Sequence, residues 1–216
     1  MTIPRQIWLM MLVAILGSFA SRLVMSYIPI YALTEDYLNL GATEYGFIQT
    51  VGAIPTTVMS MPGGLLADRV GRKPLIMISR ITTPISLGLI PFAYNYPTYF
   101  GARILNNIGA SFGGGGRGTA GGPAWNAMIM DMVPIEKRGT VMGTIGTLTG
   151  IVGKPAPILG SYLWETFSPM VAFQTSVAFG LVGAFVFLLF VKEHKGEPLD
   201  FGNSDPPDTG KVKSGD

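Results

Sequence analysis

Six long apolar runs succeed one another along this chain, at about Ile7–Ala32, Glu44–Leu66, Leu75–Tyr94, Tyr99–Met132, Thr140–Leu163 and Met170–Val191. Each reaches the ~20 residues that a helix needs to cross a bilayer. Hydrocarbon offers no water to bond a bare amide, so a run of this length has to satisfy its own backbone as a helix. The expectation is an all-α membrane protein with six transmembrane helices. The first run also opens like a secretory signal, with Arg5 as its basic head and Ser18-Phe19-Ala20 before a cleavage point. It continues through Leu23, Val24 and Met25 to Ile30 and Tyr31, and so reads as a span.

Composition agrees. Only 13% of the 216 residues are charged, against about 25% in a soluble domain. The formal net charge of +2 is too small to point to nucleic acid. There is no cysteine, and the single histidine, His194, lies beyond the last run. That leaves no disulfide, thiolate nucleophile or intramembrane haem or zinc ligand. No catalytic residue, metal or cofactor is expected. The 29 glycines suit close helix packing in lipid.

Charge sets the orientation. Arg5, Arg69, Arg72, Lys73, Arg80, Lys137, Arg138, Lys192 and Lys195 are assigned to one set of loops and ends. The opposite loops carry Glu35, Asp36, Glu44 and Glu165 with no Lys or Arg. The positive-inside rule then puts both termini in the cytoplasm of a multi-pass protein of the cytoplasmic membrane.

The densest pattern is Gly64-Leu65-Leu66-Ala67-Asp68-Arg69-Val70-Gly71-Arg72-Lys73-Pro74, between the second and third runs. Gly71 permits a backbone angle that other residues resist, and Pro74 suits the first turn of a helix. Read plainly, this is a charged reverse turn on the cytoplasmic side. It also resembles the loop between helices 2 and 3 of the major facilitator superfamily of transporters, filling each specified position of Gly-x-Leu-Ala-Asp-Arg-x-Gly-Arg-Lys. Asp131, Pro134 and the pair Arg138-Gly139 resemble that family's loop after helix 4. Arg103 with Gly109 is similar to its helix-4 arginine pattern. Gly150, Gly153, Pro157, Gly160 and Ser161 form a degenerate version of its helix-5 pattern.

The resemblance covers about Ile7–Val191 and implies one six-helix half, a 3+3 half-bundle, of a fold that normally has two. It also implies a mechanical role for Gly64, Asp68, Arg69, Gly71, Arg72 and Lys73 as a conformational switch. Asp68 would interact with the opposite half, with Arg72 orienting it. Two features depart from the family. Arg103 and Asp131 are further apart than usual by about two helical turns, and the excess coincides with a glycine-rich stretch at 113–122, read as an insertion in helix 4. No Gly-Lys-Ser/Thr follows it, so it is not a phosphate loop. The second departure is the missing partner half. The intact loop favours the first half of a transporter, whereas the polar residues 192–216, read as a disordered cytoplasmic tail, resemble a chain end.

Ionisable side chains inside a bilayer are costly and are the first functional candidates. Arg22 falls near the middle of the first run, Lys154 in the fifth, and Arg103 about one turn inside the outer end of the fourth. The substrate-binding candidates are Arg22, Arg103, Lys154, Asn107, Trp125 and Asn126, with Gln49 and Asn106 as further polar lining. Structural roles compete: snorkelling for Arg103, carbonyls freed by Pro155 and Pro157 for Lys154, a buried ion pair for Arg22. No Asp or Glu lies near the middle of a run, so proton coupling is not supported, and two mid-depth cations suit an anionic solute. The expectation is transport of a small solute by alternating access, with lipid and either a second copy or another six-helix half as partners. The alternative is a non-transporting accessory subunit or a truncated half.

Overall fold

A computed structural model of the protein describes residues 5–113 and 122–191, with the side chains of 60, 68 and 123 outside the description. Among the described residues every regular element is helical. In chain order they are α1 (Arg5–Met25), α2 (Ile28–Leu33), α3 (Ala42–Val70), α4 (Arg72–Leu89), α5 (Tyr96–Gly113), α6 (Pro123–Met132), α7 (Arg138–Gly153), α8 (Ala156–Thr166) and α9 (Pro169–Phe190). They assemble into six rods: α1 with α2, α3, α4, α5 with α6, α7 with α8, and α9. Arg5–Leu33, Arg72–Phe92 and Pro169–Phe190 are each long and apolar enough to cross a membrane. At 1.5 Å per residue the 29 residues of α3 extend about 43 Å, ample for a span. The residues 113–122 expected to interrupt helix 4 fall mostly outside the description, as does the expected tail; α5 ends at Gly113 and α6 begins at Pro123.

Local chemistry explains the ends. Gly71 alone separates α3 from α4, with φ 104° and ψ 157°, a region hostile to a Cβ. Pro74 lies in the first turn of α4. The Gly41 amide donates to the Glu44 carboxylate at 3.0 Å, opening α3. Asn95 Oδ1 accepts from the Thr98 amide at 3.1 Å ahead of α5, and Ser168 Oγ accepts from the Val171 amide at 3.3 Å ahead of α9. The first rod breaks at residues 26–27, before Pro29, which the apolar pattern did not reveal. The fifth breaks at Lys154–Pro155, beside the two prolines that lie inside that run.

The rods bury two separate apolar clusters. One, at the Gly71 end, gathers Ile7, Met10, Met11, Leu75, Ile76, Trp125, Ile129, Ile145 and Phe187. The other gathers Leu23, Val24, Tyr31, Leu87, Ile90, Tyr99 and Phe173. The buried polar side chains Ser18, Ser79, Ser86, Ser111, Thr149 and Ser176 fall between them along their helices. Close approach holds this layer: Ser176 Oγ donates to the Ala20 carbonyl at 2.7 Å, and a Cβ on Gly180 would lie 2.7 Å from Pro84 Cβ.

One charge assignment is corrected. Arg80, counted with the loop cations, sits inside α4, eight residues or about 12 Å beyond Arg72. Its guanidinium lies over the Trp125 ring, 4.6 Å from the centroid, instead of in a loop.

Candidate solute cavity

The polar layer is not packed solid. A cavity of about 420 Å³ opens among α1, α2, α3, α4 and α5. Ser21 and Met25 of α1 and Pro29 of α2 line one side, Tyr45 and Gln49 of α3 another, Thr83 and Leu87 of α4 a third. Arg103, Asn106 and Asn107 of α5 complete it. Their spacing explains the convergence, since residues three and four apart share one helix face.

The lining is held by specific bonds. Arg103 Nη2 donates to Gln49 Oε1 at 2.7 Å, and Gln49 Nε2 donates to the Tyr45 hydroxyl at 3.1 Å. Asn106 Nδ2 donates to Ser86 Oγ at 2.9 Å. Asn107 Nδ2 donates to the Arg103 carbonyl at 3.0 Å, while Thr56 Oγ1 donates to the Asn107 carbonyl at 3.3 Å. This network leaves donors over. Arg103 Nε, Thr83 Oγ1 and the Tyr99 hydroxyl, one turn before Arg103, are sealed from solvent and make no hydrogen bond among the described residues. Buried polar groups normally find partners, and these three are exceptions among the described residues.

The sequence candidates therefore divide. Arg103 and Asn107 line the cavity, as do Gln49 and Asn106. Arg22 points elsewhere: a Cβ on Gly153 would meet its Cδ at 2.7 Å, which places the side chain against α7. Lys154 is exposed at the joint of α7 and α8, where its amide bonds the Gly150 carbonyl at 3.0 Å. Trp125 is wholly buried in the apolar cluster at the Gly71 end, its ring 6.1 Å from that of Phe187. Asn126 is half-buried beside it, and its Oδ1 has no partner among the described residues. Tyr45, Ser21 and Thr83 were not singled out from the sequence. Their only signal was polarity within an apolar run, and Thr and Tyr are too common in such runs to be distinguished that way.

At the Gly71 end the switch residues are anchored. Arg72 Nη1 is ion-paired with Asp131 Oδ2, near the end of α6, and also donates to the Ala127 carbonyl in the middle of that helix at 2.6 Å. Lys73 Nζ donates to the Leu188 carbonyl at 3.1 Å, two residues before α9 ends. Arg138 Nη2 donates to the Met130 carbonyl at 2.7 Å. Helix C-termini leave carbonyls unpaired and slightly negative, so Arg138 and Lys73 close the ends of α6 and α9. Gly64 lies within α3, with nothing within 4 Å of a Cβ placed on it. Arg69 falls in the last turn of α3. The expected contact of Arg72 with Asp68 rests on a side chain outside the description.

Comparison with known proteins extends the geometry. The model of the Major Facilitator Superfamily matches residues 7–213. The multi-drug resistance efflux pump PmrA of Streptococcus pneumoniae is 29% identical over 181 residues, covering 79% of this chain and 41% of the pump. The hexuronate transporter of Bacillus subtilis is 27% identical over 169 residues, covering 76% of this chain and 37% of the transporter. The riboflavin transporter RibZ of Clostridioides difficile is 23% identical, over 87% and 40% of the respective chains. The chain thus spans less than half the length of these relatives. In fold it resembles the human organic anion transporter MFSD10 (TETRAN), with a TM-score of 0.61 at 14% identity, over 88% of this chain and 49% of that one.

Proposed function

The chain belongs to the major facilitator superfamily of membrane transporters, and from that membership we propose that it supplies one six-helix half of a transporter that moves a small anionic solute by alternating access. One observation carries the reading. Arg103 stands in the wall of a mid-layer cavity, steered by Gln49, with a buried Nε–H that no described residue accepts. A fixed guanidinium with a donor to spare suits a carboxylate far better than a cation or an apolar drug. The relatives are named for drugs, hexuronate and riboflavin, so they do not select among these classes.

The second wall comes from another copy or a different six-helix half. On α3 the side chains of Ile54, Val58, Met61 and Leu65 are exposed, an apolar face for lipid or for that half. Transporters of this architecture bind near the midplane, where the two repeats meet. The segment Gly64–Lys73, from the end of α3 to the start of α4, is the gate of this reading, with Asp68 turned to the other half and both termini in the cytoplasm. Residues 192–216 serve as a polar cytoplasmic tail, 113–122 as an insertion in helix 4. Arg22 and Lys154 form a second cationic locus on the α7 side of the layer, and no catalytic step is assigned.

The test is uptake of labelled glucuronate into proteoliposomes holding the purified chain, with its size measured in mild detergent. Saturable uptake, a particle larger than one chain, and loss of uptake in Arg103→Gln are expected. Uptake that is unchanged in Arg103→Gln, or matched by uncharged glucose, overturns the anionic reading. A particle of one chain that still transports overturns the paired-half reading.

A further inference from the structure

Donor and acceptor chemistry decides which way the amides of the cavity wall face. A guanidinium only donates, so the Gln49 atom that Arg103 meets at 2.7 Å is Oε1, and Nε2 is left to face the Tyr45 hydroxyl at 3.1 Å. That hydroxyl therefore accepts, and its own proton has no acceptor among the described residues. A second amide is fixed the same way. Ser86 Oγ, wholly buried on α4, gives its proton to the Thr83 carbonyl at 2.8 Å. It can only accept from Asn106, whose Nδ2 stands 2.9 Å away. The Thr83 carbonyl lies 3.4 Å from the same nitrogen and demands a donor too. Asn106 Nδ2 is thus spent on α4, and Oδ1 is the end left over.

These ends have room. Tyr45, Arg103 and Asn106 all line the cavity of about 420 Å³. Arg103 Nη1 and Asn106 Oδ1 make no hydrogen bond among the described residues, and neither is sealed from solvent as Arg103 Nε is. Arg103 and Asn106 are three residues apart on α5, so their side chains leave one face of it ~5–6 Å apart at Cβ. The open wall therefore offers donors from Arg103 and Tyr45 and, one turn further along α5, an acceptor.

We infer that Asn106 is a specificity-determining residue of this cavity and that its solute is a hydroxylated carboxylic acid. The carboxylate meets Arg103 and Tyr45, and a hydroxyl a few carbons along the same molecule donates to Asn106 Oδ1. An acid without hydroxyls sets an apolar body against Oδ1 and leaves a desolvated acceptor unpaired. A neutral polyol leaves the guanidinium without a counter-charge. Ser86 is the positioning residue: it lies outside the cavity lining and holds the amide in the one orientation that accepts. The inference rests on the reading of the cavity as an anion site and narrows its ligand class.

The test is equilibrium binding of labelled glucuronate to the purified protein in nanodiscs, with two competitors. Cyclohexanecarboxylate has the ring and the carboxylate without hydroxyls, and glucose has the hydroxyls without the carboxylate. Glucuronate should be preferred to either by about tenfold or more. Asn106→Leu should weaken glucuronate about tenfold and leave cyclohexanecarboxylate unchanged or tighter. The preference between the two acids then collapses, whereas a merely structural role weakens both alike. Ser86→Ala keeps every lining residue, frees the amide to turn, and should cut the same preference severalfold, so the inference stays testable if Asn106→Leu misfolds. Arg103→Gln should weaken both acids and checks the anion reading separately. Suppose glucuronate binding needs Arg103, but cyclohexanecarboxylate competes equally or the preference is unchanged in a folded Asn106→Leu or Ser86→Ala variant. The hydroxyl acceptor is then overturned and the anion site stands. Glucuronate binding that is absent, indifferent to Arg103→Gln, or matched by glucose overturns the anion site, and this inference with it.

Discussion

Adding one methyl group at Gly160 should loosen the protein, although the new residue is a better helix former. Gly160 lies on α8, where that helix crosses α1. A Cβ there would meet the Leu23 carbonyl oxygen inside contact distance, with the Leu23 carbonyl carbon and Tyr27 Cε2 both at 3.1 Å. The obstacle is helix backbone, which cannot rotate aside as a side chain can. To accept Ala, α1 and α8 have to part by roughly 1 Å, and a gap of that size forfeits a quarter to a half of the dispersion energy at each touching pair. The strain reaches the bond from the Tyr27 hydroxyl to the Pro157 carbonyl, 2.9 Å, and the Tyr27–Trp164 ring pair at 5.4 Å. Overpacking typically costs about 1–3 kcal/mol, and a backbone obstacle puts this site at the upper end, about 3 kcal/mol. Ala regains about 1 kcal/mol of helix propensity, leaving a net loss of about 2 kcal/mol. The control is Gly146 on α7, where nothing lies within 4 Å of a Cβ. Gly146→Ala should be neutral or gain up to about 1 kcal/mol. Both are read as unfolding midpoints in SDS titrations of mixed micelles. If Gly160→Ala matches wild type, or is stabilised as Gly146→Ala is, the backbone contact between α1 and α8 is not there.

Gly71→Ala should cost about 1–3 kcal/mol in the same titration, because φ 104° with ψ 157° is nearly glycine-only backbone. Gly71→Asn should fare no better, and its rescue would contradict that geometry. A double-mutant cycle of Arg72→Gln and Asp131→Asn should give a coupling of about 1 kcal/mol or less that shrinks with salt, since both side chains reach solvent. Arg72→Gln alone should cost more than Asp131→Asn, because it also frees the Ala127 carbonyl. Orientation can be read by labelling, because the chain has no cysteine of its own. Cysteine at the exposed Ile135 should react with an impermeant maleimide only after cells are opened, and cysteine at the exposed Tyr94 should react from outside; the opposite pattern inverts the topology.

Much of the architecture was legible because its signals are local. Apolar length marks a span wherever it falls, and the Gly71–Pro74 junction carries its own backbone chemistry. The breaks were not read from the apolar pattern: the fifth run continues through Pro155 and Pro157 and the first through Pro29, because apolar length alone does not register where a helix ladder is interrupted. Cavity walls are another matter. Arg22 and Arg103 look alike in sequence, each a lone cation in an apolar run. One turns toward Gly153 on α7, the other into the cavity beside Gln49. Which face of a helix meets which neighbour depends on rod order and rotation, and a hydropathy pattern that is apolar on most sides does not encode these. Arg80 shows the same limit more sharply. Counting it with Arg72 and Lys73 ignored the helix beginning at Arg72, which puts residue 80 two turns deep.

The partner at each cation's tip separates these roles where position along the run does not. Arg72, Lys73 and Arg138 all end on carbonyl oxygens of α6 or α9, with Asp131 added for Arg72. The Leu188 and Met130 carbonyls are free because helices end there, and Arg72 is held by Asp131 and Ala127 of α6, so the cations are consumed by the fold, and substituting them loosens the Gly71 end before it touches any solute. Arg103 and Arg80 spend only part of their donors, on Gln49 and on the Trp125 ring, and each keeps a buried N–H without an acceptor in the described chain. A residue serving only stability gains nothing from such a surplus, since a desolvated unpaired donor costs about 1–3 kcal/mol. Neutralising Arg103, by Arg103→Gln, should therefore be far less harmful to folding than to the anion uptake proposed for the cavity, an imbalance that Arg72→Gln would reverse.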